Sequence, residues 1–222
     1  MKPDTAVNQI RTSRLIAILR NVPEEKTLPL VAALHSGGVR VLEFTFDHAN
    51  PGYMEEACQK VSRVKAAFGD ELLLGMGTVL SKSEADALIS AGAQLMISPH
   101  TDAALIAHAK RLGAVCIPGA FTPTEIVAAS AAGADFVKLF PAGVLGLDYI
   151  RAIRAPLPHI PLLAVGGVEP ESVAGFLSAG VAGFGVGSQL VESAALKVGD
   201  YGRISAKALA FTMAIAAFEA KA

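Results

Sequence analysis

Short apolar runs alternate with helix-length stretches of mixed character along the whole chain. Five junctions share one order: SGGVRVLEFTF, SAGAQLMIS, RLGAVCIPG, AAGADFVKLF and SAGVAGFGVG each close a helix-like stretch on glycine, add a small residue and continue as an apolar run. Glycine takes the left-handed conformation without a Cβ clash, so each junction reads as a helix stop followed at once by a strand. Three more runs fit without the glycine stop: Leu15 to Leu19, Leu72 to Thr78 and Leu162 to Gly167. Eight strands are therefore predicted. Between them Lys26 to Ser36, Lys82 to Ala91, Asp102 to Leu112, Glu125 to Ala131 and Pro170 to Ala179 mix apolar and polar positions as one-sided helices do. Start signals support these helices: Ser81 ahead of Glu84, Thr101 ahead of Asp102, and Thr122 then Pro123 ahead of Glu125. Eight strand–helix alternations predict the α/β class and a closed (β/α)8 TIM barrel with an N-terminal helix, an open doubly wound sheet being the alternative. A last helix is expected over Arg203 to Lys221, with Ile204, Leu209, Phe211, Ile215 and Phe218 available to pack on the barrel.

Composition narrows this picture. At 222 residues, 52% hydrophobic and 18% charged, with no linker or low-complexity stretch, residues 1–222 are expected to form a single barrel domain. The 19 Lys and Arg nearly cancel the 20 Asp and Glu, so no field attracts nucleic acid or an anionic membrane, and a small-molecule partner is expected. Ser172 to Val191 is uncharged, but glycines, Ser and Gln interrupt it, so it reads as a helix end and a strand rather than a membrane span. The first residues carry charges and a proline where a signal peptide has its apolar stretch, so a cytoplasmic location is expected. Cys58 and Cys116 show no CxxC or framework spacing and read as reduced core residues.

In a barrel of this kind chemistry sits at the C-terminal ends of the strands. Alternation on the second strand puts Val41, Glu43 and Thr45 on one face and Leu42, Phe44 and Phe46 on the other; the greasier set faces the helices, so Glu43 points inward. On the sixth strand Phe136, Lys138 and Phe140 share a face, and the same logic turns Lys138 into the barrel. The pair is either a buried ion pair that holds the barrel together or an acid and a nucleophile at work. A lysine desolvated among phenylalanines is expected to have a depressed pKa and a larger neutral fraction, as attack on a carbonyl requires. Gly166-Gly167 and Gly187-Ser188, after strands seven and eight, are either tight turns or a backbone cradle for phosphate. Thr78 either starts a helix or bonds a substrate carboxylate, and Arg20 is either a solvated loop residue or a charge-assisted contact to it. The five histidines show no metal-ligand spacing. Asp47, His48 and His100 are the one candidate metal cluster and the weaker reading of those residues, so neither a metal nor another cofactor is expected. His35, His108 and His159 read as surface or packing residues.

Taken in order, RVLEFTF, GMGTVL, ISPH, IPGAFTPTE, FVKLFPA, AVGGV and GVGS closely resemble the KDPG/KHG aldolases over nearly the whole chain. These are class I enzymes that cleave 2-keto-3-deoxy-6-phosphogluconate or 4-hydroxy-2-oxoglutarate. The resemblance implies a Schiff base on Lys138, Glu43 as general acid/base, Thr78 and Arg20 holding the substrate, and Phe140 and Pro99 walling the site. It further implies phosphate at Gly167, Gly187 and Ser188, and a metal-free homotrimer acting on a keto acid. Gluconate-type members carry an arginine four residues beyond the catalytic glutamate, where this chain has Asp47. Arg20 at the end of the first strand resembles the phosphogalactonate-type arrangement instead. A phosphate-binding epimerase or isomerase, which needs no core lysine, and a non-catalytic sugar-acid-phosphate sensor are the alternatives.

Overall fold

The computed structural model describes residues 3–221. Helix α1 (Pro3–Ser13) leads into β1 (Leu15–Leu19), α2 (Glu24–Ser36), β2 (Val41–Thr45), α3 (Tyr53–Phe68), β3 (Leu73–Gly77), α4 (Lys82–Ser90) and β4 (Leu95–Ile97). The chain continues through α5 (Ala103–Arg111), β5 (Val115–Ile117), β6 (Gly119–Ala120), α6 (Pro123–Ala131), β7 (Val137–Leu139) and α7 (Ala142–Arg154). It ends with β8 (Leu162–Val165), α8 (Val173–Ser178), β9 (Gly183–Val186), α9 (Ser193–Val198) and α10 (Tyr201–Glu219). The glycines that stop α2, α4, α5, α6 and α8, from Gly38 to Gly180, all adopt φ between 82° and 97°, which is why each strand can begin so soon after its helix.

Every strand pairing is parallel, in the order β5-β4-β3-β2-β1-β9-β8-β7-β6. The two ends of that order are one run, Val115 to Ala120, interrupted at Pro118, which has no N–H to give to a ladder. Backbone bonds close the seam, with Asp135 N donating to Cys116 O at 3.0 Å and Lys138 N to Pro118 O at 2.9 Å. The segments therefore make a closed eight-stranded barrel in which β7, β8 and β9 are the sixth, seventh and eighth staves.

Two apolar clusters fill the molecule. Leu42, Phe44, Leu74, Met76, Val137 and Leu139 belong to the layer between strands and helices. Ile16, Val41, Leu73, Leu95, Val115, Phe136 and Leu163 fill the barrel interior together with Ala6 and Ile10 of α1. Helix α1 thus plugs the N-terminal end of the barrel, with the Arg11 guanidinium 5.9 Å from the Phe136 ring centroid. The plug leaves the interior open at one end.

Several expectations need correction. Helix α5 is capped by Asp102, whose Oδ1 accepts from Ala104 N and Leu105 N; Thr101 instead donates its hydroxyl to Gly119 O at 3.0 Å. The helix expected over Pro170 to Ala179 divides into a 3-10 turn, Pro170–Ser172, and the six-residue α8. Leu209 is half exposed because Ile204, Ala208, Phe211 and Ile215 already define the buried face of α10. Cys58 is only partly buried, whereas Cys116 lies in the core, where burial pushes its thiol up to about 12. The capping boxes of α4 (Ser81 with Glu84) and α6 (Thr122 with Glu125) are formed as the sequence reads. No described helix is long and apolar enough to cross a membrane.

Candidate active site

The open end of the barrel carries a cleft of about 780 Å³. Of the residues singled out by sequence, Arg20, Thr78, Pro99, Lys138, Phe140, Gly166, Gly187 and Ser188 all line it. Ile18 and Val165 supply apolar floor between them. Six separate strand ends contribute, which is the arrangement the fold uses to gather distant residues at one point.

Lys138 is the middle residue of β7 and is nearly buried. Its Nζ lies 5.3 Å from the centroid of the Phe140 ring, so the amine sits against an aromatic face at the cleft floor. Glu43 lies deeper, 2% exposed, and does not reach the cleft surface. Burial pushes its carboxyl above the ordinary carboxylate value, and the charges of Lys138 and Arg20 draw it back only in part. No ion pair within 4.0 Å joins Glu43 to Lys138 among the described residues, so the two are neighbours rather than a closed salt bridge.

Glu43 has room because of a glycine. A Cβ built on Gly77 of β3 would stand 1.7 Å from Glu43 Oε1 and 2.5 Å from its Cδ. β2 and β3 are paired with Thr45 opposite Gly77, which brings Gly77 beside the inward carboxylate. The next residue, Thr78, has φ of 59°, a left-handed conformation that is uncommon for any side chain and an outlier for a β-branched one. Asn21, also at the cleft, has φ of 51°. Left-handed non-glycine backbone thus occurs after β1 and after β3, the two strands that flank the strand of Glu43.

On the opposite wall Gly166 and Gly167 both have positive φ, 88° and 73°. Gly166 accepts from Gly143 N at 2.8 Å through its carbonyl and faces the cleft, while Gly167 is turned toward Gly143 of α7 and does not line it. Ser188 is exposed at the rim, with its hydroxyl 3.2 Å from Gln189 Oε1. Sequence reasoning missed Gly77, Asn21 and Lys26. Lys26 lines the cleft and donates to Leu196 O at 3.0 Å and Lys197 O at 2.8 Å, tying α2 to the end of α9. The signal available for Gly77 was its place two residues beyond Gly75 on a strand next to an inward glutamate. Asp47 and His48 lie outside the cleft lining, and His48 Nε2 sits 2.8 Å from Glu84. Among the described residues no three His, Cys, Asp or Glu side chains are grouped to hold a metal ion.

Fold and cleft together define a (β/α)8 barrel enzyme. The chain matches the family model for KDPG and KHG aldolases over residues 6–207 and belongs to that family. It is similar to a probable 2-dehydro-3-deoxy-6-phosphogalactonate aldolase of Rhizobium meliloti (strain 1021), 40% identical over 177 residues, covering 79% of this chain and 81% of the relative. A native KDPGal structure superimposes with a TM-score of 0.83 at 35% identity, covering 92% of this chain and 95% of the other. A KDPG aldolase from Legionella pneumophila, solved with pyruvate captured at low pH as a covalent carbinolamine intermediate, gives a TM-score of 0.82 at 27% identity and covers 95% of this chain and 98% of its own. The chain is accordingly a carbon–carbon lyase of the aldolase type, and the epimerase, isomerase and sensor alternatives fall away.

Proposed function

We propose that this chain cleaves a 2-keto-3-deoxy-6-phospho sugar acid, of the phosphogalactonate type, into pyruvate and glyceraldehyde 3-phosphate through a Schiff base on Lys138. The observation that carries the reading is a buried lysine amine on the floor of the cleft with a buried glutamate beside it, whose carboxyl burial raises above its ordinary value. The Lys138 amine adds to the C2 ketone to give a carbinolamine, and loss of water leaves an iminium. Glu43, as carboxylate, takes the proton of the C4 hydroxyl; the C3–C4 bond breaks, its electron pair moves toward the iminium nitrogen, and the aldehyde departs. The enamine left behind takes a proton at C3 from Glu43, and water then hydrolyses the iminium to release pyruvate and regenerate the amine. A carboxyl with a raised pKa suits both halves of that exchange, since it holds and releases a proton closer to neutrality.

Arg20 and the Thr78 hydroxyl take the substrate carboxylate, with Pro99 and Phe140 as walls. The phosphate lies at the opposite wall, on Gly166, Gly187 and Ser188, with Gly167 behind them shaping the turn. The galactonate preference is supported by the similarity to the Rhizobium relative and by Asp47 in place of an arginine in the loop after β2. The protein works in the cytoplasm as a homotrimer, and a mass of three chains by light scattering tests that assembly. The chemistry is tested by incubation with pyruvate and borohydride followed by peptide mass spectrometry. A reduced adduct on Lys138 is expected; a folded protein with no labelled lysine refutes the Schiff base.

A further inference from the structure

Building on the carboxylate-binding role given to Thr78 above, we propose that Glu84 is a positioning residue for the reaction, clamping the loops after β2 and β3 so that Glu43 and Thr78 keep their mutual placement. Glu84 lies in the first turn of α4, away from the cleft lining, and is 2% exposed. Its two oxygens serve different loops. Oε1 accepts from the Tyr53 hydroxyl at 2.7 Å and lies 2.8 Å from His48 Nε2, both on the segment that follows the strand of Glu43. Oε2 accepts from the amides of Leu80 and Ser81, the second at 3.0 Å, two and three residues beyond Thr78. Burial pushes the Glu84 carboxyl up, but the bonds from Leu80, Tyr53 and His48 outweigh it and hold the group below the ordinary carboxylate value.

A helix cap alone does not need this. The equivalent residue of α6, Glu125, is exposed and closes its capping box with Phe121 N at 2.9 Å and Thr122 N at 2.7 Å. Glu84 makes the same cap and adds a second arm, reaching residues 31 and 36 positions away. Thr78 sits between these restraints with φ of 59°. A β-branched residue stays in that region only when its surroundings over-determine it. The other ties are Phe46 N to Gly77 O at 2.9 Å and Val79 N to Ile97 O at 3.2 Å. With Glu84 they make one frame in which the loop after β2 and the loop after β3 move together.

The test is the concentration dependence of pyruvate trapping on Lys138 by borohydride, in which half-saturation reads the carboxylate grip and the limiting rate reads the amine. Glu84→Ala should raise half-saturation by about ten-fold or more while changing the limiting rate far less. Tyr53→Phe, which removes one bond of the second arm, should raise it about three-fold. Glu84→Gln should restore most of the loss, because its carbonyl accepts from Leu80 and Ser81 and its amide can donate to Tyr53 and His48. Glu125→Ala removes a matching cap and should stay within about two-fold of wild type, since its bonds join no two site loops. Equal shifts in Glu84→Ala and Glu125→Ala, or no shift in Glu84→Ala, overturn the proposal. If Glu84→Ala does not fold, an unchanged half-saturation in Tyr53→Phe overturns it instead. A wild-type protein that is never trapped defeats the Schiff-base reading and this inference with it; a trapped wild type with indifferent variants defeats this inference alone.

Discussion

Replacing Gly77 with Ala should damage catalysis and stability together, and for one reason. A Cβ at that position stands 1.7, 2.5 and 2.8 Å from Oε1, Cδ and Cγ of Glu43. Nonbonded carbon contacts settle near about 3.5 Å, so the carboxylate has to withdraw by roughly 1.8 Å. It is 2% exposed, so the withdrawal has to take place within the barrel interior. Overpacking of this kind costs about 1–3 kcal/mol, which in a chain of this size lowers Tm by about 2–12 °C. Displacing a reacting group by about 1 Å costs on the order of 100-fold in rate, so kcat/KM should fall about 100-fold or more, some 2.7 kcal/mol of barrier. The sign is informative, because Gly77 is not among the glycines with positive φ. Without the clash, alanine there would stabilise by about 0.4–1 kcal/mol through the unfolded chain. Thermal unfolding and steady-state aldol cleavage measure both quantities. Adding Glu43→Asp draws the carboxylate back by one methylene and should recover the lost Tm. A Gly77→Ala protein with wild-type turnover and an undiminished Tm refutes the packing argument; a lowered Tm with wild-type turnover refutes the role given to Glu43.

Other consequences can be checked separately. Lys138→Met should remove all turnover and all pyruvate trapping while the protein still unfolds cooperatively, and appreciable cleavage by it would end the Schiff-base reading. The Glu43 carboxyl is raised above its ordinary value of 4.5, so the folded state holds its proton more tightly, and stability should decline as pH rises from about 4.5 through the raised value. Glu43→Gln cannot ionise; it should flatten that decline and be the more stable protein above the window, as denaturant titrations across pH would reveal. Thr78→Gly should leave Tm level or higher, since it relieves left-handed strain of about 1–2 kcal/mol against about 0.5–1 kcal/mol of glycine entropy, yet it should weaken pyruvate saturation at Lys138. A large drop in its Tm would refute the strain. Ser188→Asp should raise KM selectively for a phosphorylated substrate, and an unchanged KM argues against the phosphate wall.

The barrel was legible because its punctuation is local. A glycine such as Gly92 stops its helix whatever lies elsewhere, and two-residue alternation is enough to turn Glu43 and Lys138 inward. What escaped depends on pairing across the chain. The seam at Pro118 looks like an ordinary strand interruption until Asp135 and Lys138 bond across it. The clash that keeps Gly77 a glycine exists only once β2 and β3 are in register. Thr78 has a propensity that argues against its observed φ, so no local rule finds it. Asp102 displaced Thr101 as the cap of α5 because both residue types cap, and the distant carbonyl of Gly119 claimed the threonine.

Helix α1 gives the reaction a direction of traffic. By setting Ala6 and Ile10 under Ile16, Phe136 and Leu163, it seals one end of the interior with hydrocarbon. Traffic of keto acid, aldehyde and water is thereby turned to the opposite mouth, where Lys138 stands in the cleft.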